Sequence, residues 1–295
     1  MIRRVLGNLY FLTFLNGFLL ASLFYFNMEA SYEKELFHAI RSDINSKIPS
    51  GVSEDSLVVQ VLHECHNLLI SRLTVFEGKS FSGVKSSLLE PASMDLMTAR
   101  GACGSYSMVL ARILQGYNYP VRIAQMKANG IFADHNIVEV QTGHGWAVLD
   151  PLFDVYFVTP DHKLASFEDV HNHWNYYLQQ LPTNYDTHYR YEDVRYSNWT
   201  KIPVVMPAIK KILDKTIGKK DADLISLRTY FLRKYEICFD IALLLFLLVF
   251  SFTILQLVRS KAFQQKNIPQ SFSNLANSNP ILKRSMAESL TSQDV

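Results

Sequence analysis

Two long apolar runs, one near each end of the chain, restrict what this sequence can fold into. Val5 to Phe26 contains no charged residue, and Ile241 to Val258 contains few polar ones. About 20 consecutive apolar residues are enough to cross the hydrocarbon core of a bilayer as a helix. The sequence therefore predicts transmembrane helices at 5–26 and 238–258, with a mixed, aromatic-rich region between them.

Each apolar run has an alternative interpretation. A cleaved signal peptide also begins with basic residues such as Arg3 and Arg4, but its apolar region is usually only ~7–15 residues long. No clear small-x-small cleavage site follows the first run, which favours an uncleaved anchor. A buried core helix is the alternative for the second run, although so unbroken an apolar stretch is unusual in a small soluble domain.

Basic residues near the first run predict the orientation of the chain, because they are enriched on the cytoplasmic side of a membrane. Arg3 and Arg4 adjoin the run on its N-terminal side, whereas Lys34 and Arg41 stand further from its other end. This favours a cytoplasmic N-terminus. By parity the second segment returns the chain to the cytoplasm, so that 27–237 faces the other side, which is the periplasm in a bacterium.

The two ends of the chain then lie in the cytoplasm. Residues 1–4 form a short N-terminal extension, and residues 259–295 form a tail rich in Ser, Asn and Gln. The tail lacks apolar periodicity, so we expect it to be largely disordered.

Net charge and cysteine content exclude two other classes of protein. The formal net charge is only +2, which gives no basis for nucleic-acid binding. Three cysteines, Cys65, Cys103 and Cys238, do not make the framework of a disulfide-rich fold. The sequence does not specify an oligomeric state.

Hydrophobic periodicity predicts an α+β domain between the membrane segments. A helical stripe covers 31–48, a second helix capped by Ser53 covers about 54–73, and a third begins at or near Cys103. Alternating patterns predict three strands, at 121–127, 135–140 and 145–150.

Cys103 stands at the predicted start of a helix, between Gly101 and Gly104. The nucleophile in thiol chemistry is the thiolate, and the partial positive charge at a helix N-terminus favours it. A histidine partner lowers the pKa of a cysteine further. The chemistry therefore requires a histidine that reaches Cys103.

The hairpin formed by the second and third strands brings a histidine and a carboxylate together. If residues 141–144 form the loop, Val140 faces Gly145 and His135 faces Asp150. Directly opposite residues of an antiparallel pair point to the same face. Asp150 would then hold one ring nitrogen of His135 and leave the other for the thiol, whereas a one-residue slip would separate the two residues.

The order of these motifs resembles the transglutaminase-like superfamily of papain-fold cysteine enzymes, in a membrane-anchored form of bacterial type. The motifs are Gly101-Ala102-Cys103 before a helix, the strand HNIVEV from His135, and WAVLDP around Asp150. The resemblance implies a core at about 54–160, in which a helix with the cysteine at its N-terminus packs on an antiparallel sheet. It also implies that Cys103 is the nucleophile, His135 the base and Asp150 the residue that orients it.

The resemblance implies an enzyme that cleaves or transfers amide bonds through a Cys thioester. Water as the acceptor gives a protease or amidase, and an amine gives a transamidase; the motifs leave both open. The expected partners are the membrane and a peptide or protein amide on the non-cytoplasmic face, and no metal or organic cofactor is implied. The alternative is an inactive binding or scaffold module on the same fold.

Two further clusters carry weaker signals. His63 and His66 share a helix face that a metal ion could use, although packing or solvent-facing roles fit them better. The aromatic stretch 171–200 fits either an irregular wrap around the core or a wall of a substrate groove.

Overall fold

A computed structural model describes residues 8–76, 90–128 and 130–266 of the chain. These fall into two compact units. The first combines Met1–Tyr25 with Phe239–Val295, and the second is Phe26–Cys238. The predicted N-terminal extension, the start of the first membrane segment and residues 267–295 of the tail lie outside the described residues.

The first unit contains parts of two helices that are long and apolar enough to cross a membrane. Helix α1 spans Leu9–Lys47, and the last helix of the chain spans Lys234–Lys266. Large apolar side chains on both are exposed, among them Phe14, Phe18 and Leu248. A core helix buries most of its side chains, so this exposure disfavours the alternative of a buried helix.

Helix boundaries differ from prediction at both ends of the chain. The stripe predicted at 31–48 is not a separate helix, because α1 continues without a break to Lys47. The last helix continues past Val258 to Lys266, so the tail predicted as disordered begins in helical form. No proline or glycine interrupts the chain at either junction, and a break would sacrifice backbone hydrogen bonds for no gain.

The second unit is an α+β domain built on a five-stranded antiparallel sheet with strand order β4-β3-β2-β1-β5. The strands are β1 Val121–Ala128, β2 Ile131–Thr142, β3 Gly145–Asp150, β4 Val155–Tyr156 and β5 Val194–Arg195. The first three match the alternating segments of the sequence. The other two contain two residues each, too few to show a pattern.

Helices cover one face of the sheet. They are α2 Glu54–Phe76, α3 Ala92–Thr98 and α4 Cys103–Gly116, together with the second half of α1. Ser53 precedes α2 and caps it as predicted, because its Oγ accepts a hydrogen bond from Ser56 N at 3.3 Å. Leu110 and Ile113 of α4 pack with Ile123 and Val138 of the sheet in one buried cluster. This cluster fixes α4 against β1 and β2.

The opposite face of the sheet is covered mainly by short helices and irregular chain. The helices are α5 Phe167–Asn172 and α6 Trp174–Tyr177, followed by a 3-10 turn at Leu178–Gln180. Tyr177, Tyr185 and Tyr191 are buried there against Ile137 and Val148. The aromatic stretch thus forms the wrap that the sequence suggested, since its rings supply the second core of the domain.

Three more short helices precede the last one. They are α7 Val205–Thr216, α8 Lys219–Asp223 and α9 Leu227–Tyr230, and a 3-10 turn at Phe231–Arg233 leads into α10, Lys234–Lys266. Ser226, just before α9, bonds to both the N–H and the C=O of Ile123 on β1, at 3.1 and 2.8 Å. These two bonds hold the start of α9 at the sheet.

The hairpin register was predicted wrongly by two residues. Thr142, not Val140, pairs with Gly145, so the loop contains only Gly143 and His144. Two-residue loops are the commonest hairpin connection. Because side chains alternate with a period of two, a two-residue shift keeps every side chain on its predicted face.

Candidate active site

Cys103 is the first residue of α4, as predicted. The residue before it, Ala102, has a φ of 45°, in the left-handed region that residues with a Cβ rarely occupy. Strained backbone of this kind persists only where the surrounding structure holds it, and it is common at functional sites. Cys103 therefore stands on a sharp turn at the positive end of a helix dipole.

Side chains beneath this turn hold its shape. Ser105 Oγ accepts a hydrogen bond from Gly101 N at 3.0 Å and donates to Asp95 Oδ1 at 2.7 Å. A Cβ on Gly101 would lie 2.7 Å from Ser105 Oγ, which leaves no room for a side chain. At Gly104 the nearest atom to such a Cβ is 3.9 Å away, an ordinary contact. Of the two glycines that flank Cys103, only Gly101 has a neighbouring atom too close to allow a side chain.

His135 and Asp150 form a buried ion pair. Their closest atoms, His135 Nε2 and Asp150 Oδ2, are 2.6 Å apart, and both residues are 0% exposed. Asp150 also accepts from Leu152 N at 3.2 Å and from Tyr185 Oη at 3.4 Å. A carboxylate held by three donors stays in place and fixes the orientation of the imidazole.

The register explains why this pair forms although the two residues are not directly opposite. Val138 pairs with Leu149, so the same register continued by one residue puts Asp150 opposite Ile137 and diagonal to His135. Diagonal neighbours share a face and lie within reach of long side chains. The pairing of β1 and β2 also shifts immediately beyond His135, between Met126 and Lys127. Bulges of this kind redirect side chains and are frequent beside active sites.

Aromatic rings enclose the imidazole of His135. The Tyr189 ring stacks on it with centroids 4.3 Å apart and planes inclined by 16°, and the Phe153 ring lies at 5.7 Å. An aromatic face attracts a cation and excludes water. The aromatic stretch therefore also contributes directly to the surroundings of the histidine.

Cys103 and His135 interact as a thiol–imidazole pair. Burial by itself raises the pKa of the Cys103 thiol, but the hydrogen bond and charge of His135, with help from Asn136, hold that pKa below its usual value. Burial by itself lowers the pKa of His135, but Asp150 and Cys103 raise it. Since Nε2 is taken by Asp150, the nitrogen left for the thiol is Nδ1, which has no other hydrogen-bond partner among the described residues.

Two further residues complete the surroundings of the thiol, and sequence reasoning missed both. Asn136 Nδ2 donates to Cys103 Sγ at 3.2 Å, and Arg228 Nη1 donates to Asn136 Oδ1. A guanidinium can only donate, so Arg228 turns the amide oxygen of Asn136 toward itself and the NH₂ group toward the sulfur. Adjacency to His135 could have drawn attention to Asn136. Arg228 carries no sequence signal, because only tertiary packing brings it here.

Contacts across α4 and β2 bring the cysteine to the histidine. Ser107 Oγ donates to the carbonyl oxygen of Asn136 at 3.1 Å, one helical turn after Cys103. This bond is buried, so it resists competition from water. All three residues predicted for the site, Cys103, His135 and Asp150, thus lie together.

The other candidate cluster has ordinary structural partners. His63 Nδ1 lies 2.7 Å from Asp154 Oδ1, and His66 Nδ1 lies 3.1 Å from the Pro151 carbonyl oxygen. Among the described residues, no group of three or more His, Cys, Asp or Glu side chains is arranged to hold a metal ion. The two histidines therefore tie α2 to the loop after β3.

A thiolate beside a charged imidazole, with an amide NH₂ group directed at the sulfur, can attack an electrophilic carbon and stabilise the negative charge that develops. Cys103 is half-buried, so a reactant can approach it from one side. Compared with protein-family models, curated proteins and solved structures, this chain has no match in any of the three.

Proposed function

We propose that this chain is a membrane-anchored cysteine enzyme of the transglutaminase-like, papain-fold type, which cleaves or transfers amide bonds through a Cys103 thioester. The observation that carries the proposal is the 2.6 Å His135–Asp150 pair whose free nitrogen serves a thiol at a helix N-terminus. A nucleophile, a base and a residue that orients the base are what acyl transfer requires.

The order of the elements supports the same proposal at the level of the fold. A helix with the cysteine at its N-terminus precedes the strands that carry the histidine and the aspartate, and it packs on the antiparallel sheet. This order agrees with the motifs around Cys103, His135 and Asp150. The papain-like core is therefore a proposal from motif order and geometry together.

In the first step, Cys103 Sγ bonds to the carbonyl carbon of an amide, and the carbonyl π electrons move onto the oxygen. We expect the Asn136 side-chain NH₂ group, which donates to Cys103 Sγ, and the backbone N–H of Cys103 to stabilise that oxyanion. The C–N bond then breaks, and the His135 imidazolium gives its proton to the departing amine. The product is a thioester on Cys103 with a neutral His135.

In the second step, water or an amine attacks the thioester carbon, and His135 takes the proton of the attacking group. The C–S bond breaks, the thiolate of Cys103 is regenerated and the imidazolium returns. Water yields hydrolysis and an amine yields transamidation. The residues do the same work in both cases, so the acceptor decides which product forms.

The two apolar helices support a membrane location for this chemistry. We propose that both termini are cytoplasmic and that 27–237 lies on the other side, periplasmic in a bacterium. The substrate is then a peptide or protein amide exposed on that face.

Reaction with iodoacetamide tests the proposal. With the full chain in detergent, we expect Cys103 at pH 7 to react faster than Cys238, which is half-buried like Cys103, and faster than a neutral solution thiol such as N-acetylcysteinamide. His135→Ala should abolish that advantage. Buried Cys65 is a poorer comparator, because burial raises the pKa of its thiol.

A peptide amide probe with an electrophilic carbon in place of the carbonyl then separates an enzyme from an inactive scaffold. An enzyme forms a covalent adduct at Cys103 that Cys103→Ala removes. If Cys103 reacts no faster than Cys238, and His135→Ala changes nothing, the chain is better described as a binding module.

A further inference from the structure

A cavity of about 220 Å³ lies next to residues that surround Cys103. Gly101, Gly104 and Asn136, all neighbours of Cys103, line one side of it. Ligand pockets for drug-sized molecules usually measure about 300–1,000 Å³, so this cavity suits a single side chain or chain end. Its charged lining residues are Glu90, Asp95, Arg100, Lys201 and Arg228.

The two carboxylates of the cavity are already matched by cations. Glu90 pairs with Arg100 at 2.7 Å. Asp95 accepts from Ser105 Oγ at 2.7 Å and also interacts with the charges of Lys234 and Arg100. Lys234 donates to the carbonyl oxygen of Glu90, which holds its ammonium group close to that lining residue. Two negative charges thus stand against two positive ones.

Arg228 and Lys201 remain as the other cations of the cavity. In the part of the chain that the structure describes, neither has a carboxylate oxygen within the 4.0 Å of an ion pair. Arg228 is half-buried and donates to the neutral amide of Asn136. A partly desolvated cation gains stability when an anion approaches it.

Burial lowers the pKa of Arg228, and the negative charge of the Cys103 thiolate opposes that shift. That charge disappears once the sulfur carries an acyl group. In the acyl-enzyme, therefore, both cations face the cavity with no anion from its lining left to them. A negatively charged group on the substrate itself would pair with these two cations.

We propose that this cavity binds a carboxylate of the substrate through Arg228 and Lys201, so that the amide attacked by Cys103 lies beside an acidic side chain or a chain-terminal carboxylate. The inference rests on the proposed function, because it names the substrate class of the same site.

Iodoacetate and iodoacetamide provide the test. In both reactions the sulfur–carbon bond forms as the carbon–iodine bond breaks and iodide leaves; the reagents differ only in bearing a carboxylate or a carboxamide. The rate constant for iodoacetate divided by that for iodoacetamide, both at Cys103, therefore does not depend on the fraction of Cys103 that is ionised. We expect this ratio to exceed that of N-acetylcysteinamide by about 10-fold in the full chain in detergent, as for a cation close to the reacting carbon.

Two charge-removing variants and a matched control locate the cations responsible. Arg228→Gln should lower the ratio about 5- to 10-fold and Arg228→Lys less, while the exposed Lys201→Gln should lower it about 2-fold. Lys163→Gln removes another exposed lysine that does not line the cavity and should leave the ratio unchanged. The Lys201 variant keeps the test decisive if Arg228→Gln misfolds.

An unchanged ratio in folded Arg228→Gln and in Lys201→Gln would overturn the proposal. If Cys103 instead reacts with iodoacetamide only as fast as the solution thiol, the proposed enzyme fails, and the ratio still reports on the cavity.

Protection from iodoacetamide then identifies the source of the carboxylate. Acetyl-Gln-Glu-amide carries a side-chain carboxylate, acetyl-Gln-Gly carries a terminal one, and acetyl-Gln-Gln-amide carries neither. We expect at least one acidic peptide to slow the labelling of Cys103 at a concentration where the neutral peptide has no effect. Equal behaviour of all three peptides would contradict carboxylate recognition.

Discussion

At the scale of single residues, the two ring nitrogens of His135 have different tasks. Nε2 contacts Asp150 at 2.6 Å in a fully buried pair, and Nδ1 faces the thiol. The carboxylate stabilises the imidazolium, and the imidazolium stabilises the thiolate. The ionisation of Cys103 therefore depends on a residue that it does not touch.

Replacing Asp150 by Asn tests this dependence. The amide can still accept a hydrogen bond from His135, but the charge that favours the imidazolium is lost, so the pKa of His135 should fall. Because an unassisted thiol is only a few per cent ionised at pH 7, we expect the iodoacetamide rate constant of Cys103 to drop about 10- to 30-fold. Asp154→Asn, which alters another close His–Asp pair, at His63, is the matched control and should change nothing.

The pH dependence of the site follows from the two shifted pKa values. The lowered pKa of Cys103 keeps the thiolate present below the usual range of a thiol, so alkylation should lose rate only as the pH falls through that lowered value. The pKa of His135, raised to about 10, keeps the imidazolium present up to that pH. Alkylation should thus rise to a plateau, whereas amide turnover, which also needs the imidazolium proton, should fall again near pH 10. An alkylation midpoint near 8.5, as for a free thiol, would contradict the pair.

At the scale of elements, the turn before α4 determines where the nucleophile stands. Gly101 N bonds to Ser105 Oγ, and Ala102 adopts a left-handed conformation next to it. Both features fix the first turn of the helix relative to the cavity. The turn is built for close packing around Gly101 and has ordinary space around Gly104.

A pair of glycine substitutions checks this difference. Gly101→Ala forces a Cβ to within 2.7 Å of Ser105 Oγ, and we expect it to lower the free energy of unfolding by about 1–3 kcal/mol. Gly104→Ala meets nothing closer than 3.9 Å and replaces a glycine within a helix, so stability should stay level or rise by up to about 1 kcal/mol. Thermal denaturation of the full chain in detergent would measure both. Equal losses would show that the turn is not closely packed at Gly101.

The elements of the domain were largely predictable from local patterns. The start of α4 at Cys103 and the strand Gly145–Asp150 agree with prediction, because periodicity and turn residues act over short distances. The register of the hairpin was not predictable from local patterns, since a loop of Gly143-His144 and a longer loop both fit the sequence. Its error of two residues left His135 and Asp150 on one face.

Contacts between distant segments could not be derived from the sequence. The bond from Arg228 to Asn136 joins residues 92 positions apart, and no local rule specifies how α9 docks on β1. The same holds for the approach of α4 to β2. The resemblance to a known family anticipated that approach for Cys103, but it offered nothing for Arg228.

At the scale of the whole molecule, an apolar helix stands at each end of the described chain. The proposed topology puts the ends in the cytoplasm and the domain between them outside it. The chemistry would then meet only substrates present on the non-cytoplasmic face.

Paired reporter fusions test this topology. A reporter enzyme that works only outside the cytoplasm should be active when fused near Lys215 and inactive when fused at Lys266, because the second apolar helix lies between the two positions. The reverse pattern of activity would show that the chain has the opposite orientation in the membrane. Equal activity at both positions would show that this helix does not cross the membrane.

The two-residue loop between β2 and β3 has a consequence for the order of assembly. Closing a short loop costs little entropy, so the hairpin that carries His135 and Asp150 can form early from neighbouring chain. Cys103 joins them only when α4 docks, a more distant contact that forms more slowly. Until then its sulfur behaves as that of an ordinary cysteine. The appearance of fast alkylation during refolding should therefore mark the docking of α4. The reactivity of Cys103 thus reports when the domain has completed its folding.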